Sequence, residues 1–112
     1  LGVDFAAAGG TPVQAAQSGV LTQAGGDDDH GYFVTIYHGA DAAANDDGVY
    51  PANYATSYAH LQSTPAVQVG QRVAQGDVIG YVGSTGSSTG NHLHFQLLVN
   101  GTPVDPLAML PQ

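Results

Sequence analysis

The 112 residues suffice for one domain, 1–112, with a single core, and they include no cysteine, lysine, glutamate or tryptophan. Those absences exclude disulfide frameworks, thiolate metal sites, cysteine nucleophiles, Schiff-base lysines and any glutamate base. Nine aspartates against the single base Arg72 give a net charge of −8, which cannot neutralise a phosphate backbone, so no nucleic-acid partner is expected. No apolar run reaches the ~18 residues of a membrane helix, so no membrane span is expected. Any signal peptide is expected to lie outside this sequence, and the missing cysteines fit an exported protein.

Sixteen glycines, six prolines and short runs of Val, Thr and Tyr favour a compact all-β domain rich in turns. In chain order the expected strands are Gly2–Phe5, Pro12–Ala15, Gly19–Gln23, Tyr32–Tyr37, Ser57–Leu61, Arg72–Val73, Val78–Val82, His92–Val99 and Thr102–Val104. No window of 11 or more residues keeps a helical period. Gly25–Gly31, which carries Asp27, Asp28, Asp29 and His30, reads as a solvated loop, and so does Ala40–Thr56. The second is long for a hairpin connection, and such loops often border a binding groove.

Proton transfer near neutral pH must run through the five histidines or a perturbed Asp or Tyr. In Gly90-Asn91-His92-Leu93-His94-Phe95-Gln96-Leu97 a strand puts His92, His94 and Gln96 on one face and Leu93, Phe95 and Leu97 on the other. Two imidazoles at i and i+2 opposite an apolar face stand ~7 Å apart, close enough to converge on one metal or substrate atom. The same alternation in Tyr58-Ala59-His60-Leu61 would put Tyr58 beside His60. In Gly2-Val3-Asp4-Phe5 it turns Asp4 away from the apolar pair, either to solvent or to a ligand. His38 shares a face with Val34 and Ile36 and reads as a hydrogen-bonded histidine at the core edge, while His30 reads as solvated.

These motifs, in this order, resemble the lysostaphin/LytM-type zinc metallopeptidase family, whose pattern runs His-x-Gly-x-Asp, Tyr-Ala-His-Leu and Gly-x-His-Leu-His-Phe. Here they correspond to Leu1–Asp4, Tyr58–Leu61 and Gly90–Phe95, with further likeness over Val69–Gly80, Gly83–Gly86 and Val104–Pro106. The resemblance covers nearly the whole chain. It implies a twisted antiparallel sheet, sandwich-like, with a groove on one face. It also implies Asp4 and His94 as zinc ligands and His60 and His92 as catalytic residues that bind substrate or move protons. The implied reaction is hydrolysis of peptide cross-links or bridges in bacterial peptidoglycan. The setting would be extracellular, in the cell wall or periplasm, or on a virion if phage-encoded, with other domains in a longer chain. With no glutamate available, His60 or His92 must act as base or hold the oxyanion. The family's third ligand is the histidine that would stand one residue before Leu1. Either the sequence is trimmed just after it, which is the expectation, or this member has lost it.

Other readings are weaker. Gly86-Ser87-Ser88-Thr89-Gly90 fits Gly-x-Ser-x-Gly, but a nucleophile elbow needs a helix after it and a strand is expected there. Biotinyl or lipoyl carriers need a lysine. The serious alternative is an inactive relative that binds peptidoglycan or activates a partner cell-wall hydrolase.

Overall fold

The computed structural model describes residues 3–39, 54–63, 65, 67–86 and 90–104. Among these there is no helix, and the strands are β1 Val3–Ala6, β2 Pro12–Gln14, β3 Gly19–Asp27, β4 Gly31–Gly39, β5 Tyr54–Leu61, β6 Arg72–Val73, β7 Val78–Tyr81, β8 His92–Val99 and β9 Thr102–Val104. Seven of them form one antiparallel sheet in the order β1-β8-β5-β4-β3-β6, with β9 sharing the outer edge of β8 with β1. β2 and β7 form a separate pair. The expected antiparallel all-β fold is the observed one.

The alternation seen in the sequence decides what each face does. From β4 the side chains of Val34, Ile36 and His38 point inward, and from β8 those of Phe95 and Leu97 do so. Val13, Ala15, Ile79 and Val82, in and around the β2–β7 pair, close over Leu21, Val34, Ile36, Tyr58, Leu61, Val73 and Phe95 to make the main core. A smaller cluster joins Tyr54 to Leu97, flanked by Val99 and Val104. Each large side chain sealed this way contributes about 1.5–3 kcal/mol. The opposite face of the large sheet carries a cavity lined by Gln23, Thr35, Ser57 and Gln96.

Two turns are set by local chemistry. Asn100 and Gly101 both have positive φ (52° and 79°) between Val99 and Thr102, the two-residue hairpin that Asn-Gly favours. At the β3–β4 tip the Asp27 carboxylate accepts the amides of Asp29 (2.9 Å) and His30 (2.6 Å), and Gly31 takes φ 64°.

The expected boundaries need several corrections. β3 continues through Gly25, Gly26 and Asp27, shrinking the expected loop to the turn at 28–30, because Gly25 and Gly26 pair with Phe33 and Tyr32 and the Tyr32 ring covers Gly26. β5 begins at Tyr54, so the last residues of the expected Ala40–Thr56 loop are strand; residues 40–53 lie outside the described residues. β1 runs one residue further, through the Ala6–His92 pair, β2 stops at Gln14, and Val82 keeps only a bridge to Leu61.

Candidate functional site

The site begins with strand register. β1 and β8, 90 residues apart in sequence, pair so that Asp4 stands opposite His94 and Ala6 opposite His92. Asp4 Oδ1 lies 2.7 Å from His94 Nδ1 and 3.7 Å from His92 Nε2. The hydrogen bond from His94 holds the Asp4 carboxyl below its ordinary value; burial opposes this, and the nearby His92 adds to the lowering. The next strand, β5, places Ala59 opposite His94, a small side chain beside the imidazole.

His60 joins this cluster through a break in strand geometry. Between Tyr32–Leu61 and Val34–Tyr58 the β4 chain takes two steps and β5 takes three, so β5 carries an extra residue. His60 sits there at φ 62°, a left-handed conformation that costs a non-glycine residue about 1–2 kcal/mol. The bulge corrects the expectation that Tyr58 shares the histidine's face. Tyr58 points into the core and packs edge-on against Phe95 at 5.4 Å, while the His60 ring lies 5.0 Å from that of His92 and 6.1 Å from that of His94. A strict two-residue period cannot place both Tyr58 and Leu61 in the core, and both are buried.

The surroundings fix the tautomers. His60 Nδ1 is 2.7 Å from the Thr85 carbonyl and His92 Nδ1 is 3.0 Å from the Gly90 carbonyl. A carbonyl only accepts, so both rings carry their proton on Nδ1 and keep Nε2 as the acceptor when neutral. Asp4, His60, His92 and His94 are thus brought together.

For zinc the donor types fit: one carboxylate and one imidazole face each other at 2.7 Å, against the ~3.4 Å between two ligands of a tetrahedral ion with ~2.1 Å bonds. Among the described residues no third His, Cys, Asp or Glu completes a ligand set. The two other histidines stay away. His30 is half exposed and bound to Asp27 at 3.1 Å, as expected of a solvated residue apart from that partner. His38 is buried and hydrogen-bonded, as its core-face position implies. Ser87, Ser88 and Thr89 of the Gly-x-Ser-x-Gly match lie outside the described residues, and β8 follows at His92.

Thr85 is the residue that sequence reasoning left without a role. It falls inside the Gly83–Gly86 stretch of the family-like pattern, which was the available signal.

Along the same face a cavity of about 220 Å³ is lined by Gln23, Thr35, Ser57 and Gln96, with Phe33 and Leu98 at its sides and Asp27 and His30 at one end. Thr35 Oγ1 donates to Gln23 Oε1 at 2.9 Å and lies 3.3 Å from the Ser57 hydroxyl.

Peptidase family M23 matches residues 1–106. The chain is 39% identical over 112 residues to the peptidoglycan DD-endopeptidase ShyC of Vibrio cholerae, covering 99% of this chain and 23% of that protein. Among solved structures, the catalytic domain of lysostaphin from Staphylococcus simulans superposes with a TM-score of 0.77 at 38% identity, over 96% of this chain and 75% of that one. A zinc-containing peptidase from Vibrio cholerae superposes with a TM-score of 0.80 at 34% identity, over 99% of this chain and 30% of that one. The chain spans about a quarter of the length of the curated relative.

Proposed function

The chain belongs to peptidase family M23, and from that premise we propose that it is a zinc endopeptidase that hydrolyses peptide cross-links or bridges of bacterial peptidoglycan, outside the cytoplasm. The observation that carries this reading is the Asp4–His94 pair at 2.7 Å with His60 and His92 beside it. Asp4 and His94 would hold the metal, and a histidine directly before Leu1, where a longer chain supplies one, would be the third protein ligand. Zinc supplies Lewis acidity, which brings the pKa of water toward ~7 and polarises a carbonyl.

The rest of the chemistry falls to this chain's own groups. His60 and His92, protonated on Nδ1, offer Nε2 to take a proton from the attacking water and return it to the leaving amine. Whichever ring is protonated at that moment can also hydrogen-bond the developing oxyanion. An extended peptide laid along the groove would meet the amide and hydroxyl groups of Gln23, Thr35, Ser57 and Gln96, which suit backbone donors and acceptors.

The intact His60, His92, His94 and Asp4 cluster favours catalysis over an inactive peptidoglycan-binding or activating module. The test is zinc content after dialysis, with a peptidoglycan-digestion assay, for this chain and for one extended by its preceding residues. The extended chain should hold about one zinc and digest peptidoglycan. A non-ligand before Leu1, or an extended chain that binds no zinc and digests nothing, overturns the reading in favour of the binding module.

A further inference from the structure

We infer that Thr85 is the positioning residue for His60, acting through both ends of itself. This rests on the zinc-peptidase reading and adds a residue to it. The Thr85 carbonyl accepts the His60 Nδ1–H at 2.7 Å and so selects the tautomer with its lone pair on Nε2. The Thr85 hydroxyl donates to the Leu61 carbonyl at 2.5 Å and accepts the Tyr32 amide at 3.1 Å. That hydroxyl therefore ties the segment bearing the carbonyl to β5 on one side of His60 and to β4 beyond it.

The same segment and the β3–β4 tip hold the His60 backbone. Its amide donates to the His30 carbonyl at 2.8 Å, and its carbonyl accepts from Gly83 at 3.1 Å. The fit between tip and segment is backbone to backbone. A Cβ at Gly31 would overlap Thr85, and one at Gly86 would overlap the Gly31 amide; both glycines have positive φ. His60, itself left-handed at φ 62°, is over-determined by this clamp, and Thr85 is the member whose side chain and carbonyl both take part. A hydroxyl is required there, since one group must donate to Leu61 and accept from Tyr32.

The experiment compares wild type, Thr85→Val and Thr85→Ser in the full-length protein. It reads zinc content, kcat and KM on a peptidoglycan-derived peptide, and the ¹⁵N shifts of the His60 ring at a pH where the imidazoles are neutral. In the wild type His60 should show a protonated Nδ1 and an unprotonated Nε2. Thr85→Val should give mixed tautomers and lower kcat by about tenfold or more, with KM within twofold and zinc unchanged. Thr85→Ser should stay within about threefold of wild type. A wild-type His60 with its proton on Nε2 overturns the inference whether or not Thr85→Val folds. So does a Thr85→Val enzyme with normal kcat, or one that loses only KM, which would make Thr85 a substrate contact. Each of these leaves the zinc-peptidase reading standing. A wild type that digests nothing and holds no zinc overturns that reading, and the role of Thr85 with it.

Discussion

The sheet carries histidines at two places that use the same side chain in opposite ways. His38, at the end of β4 on the core face, sits in a closed chain: its Nδ1–H donates to the Ser18 carbonyl at 2.9 Å, and Nε2 accepts from Thr56 Oγ1 at 2.7 Å. Thr56 Oγ1 accepts from the Tyr58 hydroxyl at 2.8 Å, which in turn accepts the Ala16 amide at 3.0 Å. The Tyr54 ring stacks on the imidazole at 4.5 Å. Both ring nitrogens have permanent partners. At the other place Asp4, His60, His92 and His94 gather at one spot on the sheet: His94 Nδ1–H donates to Asp4 Oδ1 at 2.7 Å, His92 Nε2 stands 3.7 Å from that oxygen, and the His60 ring lies beside both histidines. His38, with both ring nitrogens bonded inside the core, stabilises the fold; His60, held through Nδ1 by the Thr85 carbonyl, sets its ring against those of His92 and His94.

The contrast predicts opposite losses. The largest effect should come from Asp4→Ala or His94→Ala, which should remove zinc and lower hydrolysis by at least ~10³-fold, the several kcal/mol of a Lewis acid at ~1.4 kcal/mol per decade. Stability without metal should change little, because Asp4 is exposed and His94 lies at the groove rim. Metal analysis and calorimetry of the metal-free proteins check this, and a large loss of Tm would erase the distinction between the two regions.

Next, His60→Ala or His92→Ala in the zinc-competent chain should cost ~10²–10⁴-fold in kcat with zinc near one per chain. Loss of metal along with activity would make that residue a ligand.

His38→Ala should do the reverse. It leaves the Ser18 carbonyl without its ring partner and opens space beside Tyr54, for a loss of about 2–4 kcal/mol in denaturant unfolding. The kcat of the molecules that remain folded should stay within about twofold.

The smallest effect is a pH slope. Burial lowers the His38 pKa, with the Ser18 and Gln17 backbone only partly opposing it. The unfolded chain therefore binds the proton more readily than the fold. Stability contributed by neutral His38 is complete above the ordinary value of ~6.5 and falls as pH drops from there toward the lowered one. His38→Gln should flatten unfolding free energy over that interval, and an unchanged slope would show that other groups set the acid sensitivity.

Much of this was legible in the sequence wherever one strand sufficed. Alternation in His92–Val99 separates the imidazoles from Phe95 and Leu97, and the same rule turns His38 inward beside Val34 and Ile36. Asp4 and His94 could be named because family-like motifs surround them. The exposure of His30 followed from its acidic turn. Strand ends were less legible, since Gly25 and Gly26 look like loop until Phe33 and Tyr32 pair with them.

What the sequence by itself determined is the class of fold, most of the strands' inward and outward residues, and the short set of side chains able to carry chemistry; these follow from a period of two, from turn residues such as Asn100-Gly101, and from the absence of cysteine, lysine and glutamate. Tertiary structure alone decided the rest. The β1–β8 register set Asp4 against His94 across 90 residues. The extra residue in β5 sent Tyr58 to the core and His60 to the groove, against the local alternation. Thr85 became the partner of His60, and Thr56 that of His38. The physical reason is the same in each case: a left-handed backbone, a bulge or a tautomer is held by hydrogen bonds from distant segments, and local propensity does not favour any of them in advance.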